Sequence, residues 1–160
     1  MRVIRKSAVC ITLGLLVATA IVSNAANVPF SALINTPKGC TLVVLQDGIL
    51  AADASGQILS SKNVGGTSGS VLASTTNASF SAAVEAPTAF ATSPAGGNDS
   101  VSFNVTYSGT GDTTIPETVS TVQTRLKRGD TYLTVDMAAS QASGSSPNGN
   151  YSAVVTERCE

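Results

Sequence analysis

Apolar and polar residues alternate in short runs along most of the chain from Asn27 onward. In the run NVPFSALI, four apolar side chains fall on one face: Val28, Phe30, Ala32 and Ile34. A period of two is the pattern of a β-strand that buries one face, and no stretch after Asn27 sustains the period of 3.6 that an amphipathic helix needs. Gly, Ser, Asn and Pro separate the runs, as they do where strands end in turns. The pattern therefore predicts an all-β protein.

Later runs repeat the alternation and predict further half-buried strands. The side chains that share a face in these runs are Phe80, Ala82 and Val84, then Val101, Phe103, Val105 and Tyr107, then Thr131, Leu133, Val135 and Met137, and finally Tyr151, Ala153 and Val155. About seven or eight short strands separated by turn residues predict an antiparallel β-sandwich rather than a barrel.

Three stretches depart from plain alternation. CTLVVL, which begins at Cys40, is almost uniformly apolar, and this predicts a strand buried on both sides. ETVSTVQTRL and DTYLTVDMA are joined by KRG, which predicts a hairpin in which Gly129 adopts a positive φ. Residues 51–76 are rich in Gly and Ser and poor in large apolar residues, so we expect a long loop with two short strands there.

The first 25 residues have the composition of a secretory signal peptide. Three cations (Arg2, Arg5 and Lys6) precede an apolar run of about 15 residues, and the small residues Ser23 and Ala25 follow it. The run is shorter than the ~20 residues that a transmembrane helix needs, although an uncleaved anchor is the alternative. We expect cleavage after Ala25 and a single mature domain, residues 26–160. The mature protein would lie in the periplasm or at the cell surface, with no stable membrane insertion.

Two cysteines remain after cleavage, because Cys10 lies within the signal. An exported chain meets an oxidising compartment, so we predict a disulfide between Cys40 and Cys159, with two free thiols as the alternative. It would close a loop of roughly 120 residues, for which chain entropy predicts roughly 4–5 kcal/mol of stabilisation.

The residue types in the mature chain argue against nucleic-acid binding and against most catalysis. Six Lys and Arg stand against ten Asp and Glu, and the largest basic cluster is RLKRG, whereas phosphate binding needs clustered cations. The chain has no histidine, which removes the commonest general base. Serine activated by a lysine would need Lys38, Lys62 or Lys127, and all three fall in predicted loops or turns. We expect no catalytic residues and no cofactor.

Several short motifs have ordinary structural explanations. The acids fall in turn sequences, and calcium bound at Asp47, Asp53, Asp99 or Asp112 stays open, although no dedicated calcium loop is present, so no metal site is assigned. Arg128, Gly129 and Asp130 spell an RGD tripeptide at a predicted hairpin tip, and Gly-Asp is also common turn chemistry. Four sequons (NAS, NDS, NVT and NYS) matter only in a eukaryotic secretory pathway.

The two ends of the mature chain resemble known families. VPFSALINTPKGCTLVV resembles the opening strand of bacterial pilin-type domains, and PNGNYSAVVTERC resembles their closing strand. The families are the chaperone-usher pilins and the spore coat protein U family. The resemblance implies an immunoglobulin-like sandwich that is exported to build or decorate a surface structure. In pilins the partner cysteine usually lies nearer the first one, and here only 14 residues separate the cleavage site from Cys40, so an N-terminal extension is minimal.

We therefore expect a non-enzymatic β-sandwich with a structural or adhesive role at the cell surface. Its partners would be further copies of itself or other surface subunits, bound by strand pairing through the strand that contains Val28, Phe30, Ala32 and Ile34. The alternative from another class is a monomeric periplasmic or extracellular module that binds a small ligand or a partner protein. A hydrolase is the least favoured hypothesis.

Overall fold

The structure is a computed structural model that describes residues 38–160. The signal peptide and the strand NVPFSALI, both predicted from the sequence, lie outside the described residues. Within residues 38–160 there is no helix long and apolar enough to cross a membrane. The described chain contains ten strands: β1 (Cys40–Gln46), β2 (Ala51–Ala52), β3 (Ile58–Ser60), β4 (Gly69–Thr75), β5 (Ser81–Glu85), β6 (Val101–Gly111), β7 (Ile115–Val119), β8 (Thr124–Arg125), β9 (Gly129–Gln141) and β10 (Thr156–Cys159).

The strands form two antiparallel sheets. In the seven-stranded sheet the order is β1, β4, β9, β3, β2, and β6 pairs with both β9 and β7. The long strand β9 organises this sheet, because β4 and β3 follow one another along one of its edges while β6 pairs with residues 131–141 along the other. The second sheet has the order β10, β5, β8. The predicted all-β sandwich is confirmed.

The core lies between the two sheets, where the alternating faces predicted from the sequence meet. β6 contributes Val105 and Tyr107 and β9 contributes Leu133, each about 1 % exposed, while β5 contributes Ala82 and Val84 from the opposite sheet. The Tyr107 hydroxyl is satisfied inside the core, where it donates to the Val122 carbonyl at 2.7 Å. Tyr is therefore compatible with this position although it carries a polar group.

The expectation that CTLVVL is buried on both sides is wrong. Val43, Val44 and Leu45 are 47 %, 66 % and 52 % exposed. β1 pairs with β4 on one side, and no other strand of the described residues covers its second edge. An apolar run predicts a strand with two apolar faces. The run does not tell whether other elements of the same domain pack against those faces.

The predicted hairpin between ETVSTVQTRL and DTYLTVDMA is also wrong. The first run breaks into β7 and β8, and β8 pairs with β5, so the chain crosses from one sheet to the other before β9 begins. Leu126, which is fully buried, sits in this crossing. Gly129 has the positive φ expected, +116°, and a side chain there would collide with Asp112, whose carboxylate accepts the Asp130 N–H at 2.7 Å.

Residues 51–76 are more regular than the sequence indicates. Besides the short β2 and β3, they contain the seven-residue β4, which lies between β1 and β9. Its inward-facing residues are Val71, Ala73 and Thr75, all buried. The apolar pattern of β4 in the sequence is weak because the strand contains mostly small residues. Small side chains can fill the space around a strand that is paired on both edges and closely packed.

Cys40 and Cys159 form a disulfide, as predicted, with their Cα atoms 6.2 Å apart. The bond joins β1 of the seven-stranded sheet to β10 of the three-stranded sheet. The crosslink thereby ties β10 to a strand of the other sheet.

Truncation of the central core residue should be costly. We expect Leu133→Ala to lower the free energy of unfolding by about 2–5 kcal/mol, because it leaves a cavity between the sheets. Leu45→Ala makes the same chemical change at a side chain that is 52 % exposed, so it should cost less than about 0.5 kcal/mol. Urea unfolding measures both values, and equal costs would contradict the assigned core.

The crosslink should also contribute measurably to stability. Replacement of both Cys40 and Cys159 by Ser should lower the free energy of unfolding by about 2–4 kcal/mol, because the unfolded chain gains the freedom of the opened loop. Thermal unfolding of the oxidised protein, compared with this variant, measures the difference. Peptide mapping without reduction checks the pairing, and two thiols open to alkylation would contradict it.

Candidate functional site

A long apolar groove of about 840 Å³ opens between the edges of the two sheets. One wall is β1, and the other is the final segment, residues 149–157, which runs into β10. Leu50, Leu59, Val71 and Met137 contribute to its floor. The disulfide holds the two walls together at one end, and we refer to this feature as the β1 groove.

The β1 wall presents alternate residues to the groove. Leu42, Val44 and Gln46 line it, while Val43 and Leu45 lie on the other face of the strand. The pairing with β4 is irregular between Val44 and Gln46, so Leu45 bulges out of the register. The second edge of β1 forms no strand pairing within residues 38–160.

The opposite wall is held in place by backbone bridges and aromatic contacts. Ser152 exchanges hydrogen bonds with Thr92, including Ser152 N–H to the Thr92 carbonyl at 2.9 Å. The Tyr151 hydroxyl donates to the Pro147 carbonyl at 2.6 Å, and its ring meets the Phe90 ring edge to face at a centroid distance of 4.8 Å. Tyr151, Ala153 and Val155 are half-buried, as the alternation predicted.

One ionisable side chain lies on this wall with its charged end buried. Glu157 lines the groove, and neither carboxyl oxygen has measurable exposure or a hydrogen-bond partner among the described residues. Burial raises the pKa of the Glu157 carboxyl to about 7. Alternation alone does not predict a site at Glu157, although Glu157 is in phase with Val155 and Ala153 along the same strand face.

A second polar cluster lies away from the groove, around Lys62. Its ammonium contacts the Glu117 carboxylate and lies 3.7 Å from Asp136, which also accepts hydrogen bonds from Ser61 and Ser68. The hydrogen bond to Glu117 raises the pKa of Lys62 above its ordinary value. The cluster is a network of ion pairs and hydrogen bonds centred on Lys62 and Asp136.

The structure does not assemble a site from the acidic residues that the sequence left open as calcium ligands or from the RGD tripeptide. Asp53 accepts hydrogen bonds from Ser55 and from the backbone of Ile58 within its own turn, and Ser55 is the main cause of its lowered pKa. No group of three or more His, Cys, Asp or Glu within residues 38–160 is arranged to hold a metal ion. Asp130 of the RGD tripeptide is the second residue of β9 and accepts a hydrogen bond from Ser74 at 2.6 Å, so the tripeptide does not form the predicted hairpin tip.

Comparison with family models, curated proteins and solved structures finds no match to this chain. The assignment of a function therefore depends on the geometry of the β1 groove and on the sequence beside it.

The buried carboxyl should make stability depend on pH. Its pKa is about 7 in the folded protein and near 4.5 in the unfolded chain, so ionisation opposes folding. The contribution is absent below about pH 4.5, grows as the pH rises towards 7, and is constant above that. We expect Glu157→Gln to match wild type at pH 4 and to be more stable at pH 8 by on the order of 1–2 kcal/mol, after a discount for partial solvent screening.

Urea unfolding at a series of pH values measures this difference. Asp47→Asn is the matched control, because Asp47 lies at the same groove but is exposed. It removes a carboxylate at the groove from an exposed position. A difference for Glu157→Gln that does not change between pH 4 and pH 8 would show that the Glu157 carboxyl is solvated in the folded protein.

Proposed function

We propose that this protein is a secreted, non-enzymatic structural or adhesive subunit of the cell surface, of the pilin-like or coat-like kind. In this proposal the β1 groove accepts an extended apolar strand from a second copy of the chain. The donated strand is the exchange segment, residues 27–34, whose alternating side chains would enter the groove.

The observation that carries the proposal is an apolar groove beside an unpaired strand edge. Natural proteins usually protect an edge strand with charges, bulges or covering elements. Apart from the irregularity at Leu45, β1 has no such protection among the described residues, because it carries no charge and Val44 is 66 % exposed. An edge that offers backbone hydrogen bonds, next to a groove that offers apolar contacts, has the two components of strand addition.

The sequence of the exchange segment complements this geometry. It is eight residues long against the seven of β1, and it carries no charge. Its apolar side chains recur at every second position, as do the groove-facing residues of β1. Each larger side chain contributes roughly 1.5–3 kcal/mol when fully buried, so docking of Val28, Phe30 and Ile34 would offset a substantial cost of association.

Other features agree with export and with a role without catalysis. The disulfide is compatible with an oxidising compartment, the chain lacks histidine, and the pKa of Lys62 is raised rather than lowered. The alternative function is a monomeric binding module. The groove volume of about 840 Å³ lies in the range of small-molecule pockets, which favours that alternative as the second candidate.

Two adjacent valines provide a matched test of assembly. Val44 faces the groove and Val43 faces away, and both are exposed, so neither substitution buries a charge in the folded subunit. In light scattering of the mature chain, residues 26–160, we expect oligomers for wild type and for Val43→Asp. We expect monomers for Val44→Asp, because a carboxylate in the groove excludes an apolar strand.

A mixing experiment identifies the source of the strand. Phe30→Asp disables the exchange segment but leaves the groove intact, whereas Val44→Asp does the reverse. Each variant alone should be monomeric, and an equal mixture should form a heterodimer. If the mixture stays monomeric while the wild type assembles, the strand does not come from a second copy. A wild-type chain that is monodisperse at all concentrations would favour the binding module.

A further inference from the structure

We propose that Glu157 makes strand docking in the β1 groove depend on protonation: the groove accepts a strand when this carboxyl is neutral and releases it when the carboxyl is ionised. The inference rests on the proposed function and adds its regulation. Neither the alternation of apolar residues nor the Cys40–Cys159 disulfide explains why position 157 carries a carboxyl group.

The position of Glu157 within β10 directs its side chain into the sandwich. Glu157 pairs with Val84, which is buried, and the side chains on either side of it, Thr156 and Arg158, are exposed. Its carboxyl oxygens are covered but unpartnered among the described residues, which is the costly state for a charge. An apolar strand in the groove would remove further water from the same carboxyl and would favour its neutral form more strongly.

No cation in the described chain compensates this carboxyl from the groove side. Arg158, its neighbour, faces outward and forms an ion pair with Glu85 at 2.7 Å. Asp47 is the other acidic residue that lines the groove, and it is exposed in the loop after β1. β4 carries no titratable residue, β1 contributes only the disulfide-bonded Cys40, and Tyr151 is the remaining titratable group of the lining.

The chain has no histidine, the side chain whose ordinary pKa lies nearest 7, and the exchange segment contains no titratable side chain. Burial raises the pKa of Glu157 to about 7, so this carboxyl changes charge between pH 5.5 and pH 8.5. The α-amino group of the mature chain titrates in the same range.

The direction of the effect follows from linkage. The filled groove binds the proton more tightly than the empty groove, so docking takes up a proton and weakens as the pH rises above 7. If only the neutral carboxyl accepts a strand, the dissociation constant for self-association should be up to about 30-fold larger at pH 8.5 than at pH 5.5.

Sedimentation velocity on the mature chain, residues 26–160, at pH 5.5 and pH 8.5 tests the inference. Wild type and Glu117→Gln, which removes a carboxylate away from the groove, should associate at pH 5.5 and weaken by more than about tenfold at pH 8.5. Glu157→Gln keeps the shape of the neutral carboxyl without its charge, so it should associate at both pH values as wild type does at pH 5.5. The variant shares the α-amino group, which removes that group as a cause.

The possible failures are distinct. Association that Val44→Asp abolishes but that is equal at both pH values would overturn the role of Glu157 and leave the proposed function in place. The same holds if Glu157→Gln retains the full pH dependence. If no association sensitive to Val44→Asp occurs at either pH, the proposed function fails and this inference fails with it. Thermal unfolding of each variant confirms that a loss of association is not a loss of folding.

Discussion

The bond between Cys40 and Cys159 is the constraint on which the groove depends, because it joins the two sheets at an edge where no strand pairing joins them. β1 and β10 belong to different sheets, and without the bond the final segment would be attached to the domain by the short pairing of β10 with β5 and by the bridge at Ser152. The crosslink sets the distance between the walls at one end. Beyond the disulfide the two walls separate, and the β1 groove lies between them.

The two sides of the seven-stranded sheet differ in how their edges are paired and in the polarity of their residues. On the far side of β9, β6 and β7 extend the seven-stranded sheet, and the polar network of Lys62, Glu117 and Asp136 occupies the outer face there. On the near side, β1 carries apolar residues on both faces and has no covering strand among the described residues. A sheet edge of this kind is a hazard in a protein that must stay monomeric, and it is useful in one that assembles.

In the proposed docking, protonation of Glu157 would control whether a strand binds beside this apolar edge. An inward-facing carboxylate is one of the devices by which an exposed edge avoids indiscriminate pairing, because any strand that covers it must bury a charge. With a pKa of about 7, the carboxyl loses that protective charge near neutral pH. In the proposed docking, the groove would combine attraction for an apolar strand with a free-energy cost that changes over a narrow pH range.

The sequence by itself determined the β class and the buried faces of β6 and β9, because alternation is a local property. It also predicted the pairing of Cys40 with Cys159, because Cys10 falls in the predicted signal peptide. Tertiary structure decided the rest. CTLVVL became an exposed edge, β8 joined a different sheet from β9, and weakly patterned β4 became a fully paired strand. Each outcome depends on which distant strand lies alongside, and local periodicity carries no information about that. The site follows the same division: the wall residues Tyr151, Ala153 and Val155 were predictable from their phase, but the burial of Glu157 exists only because β10 packs across the sandwich from β1 and β4.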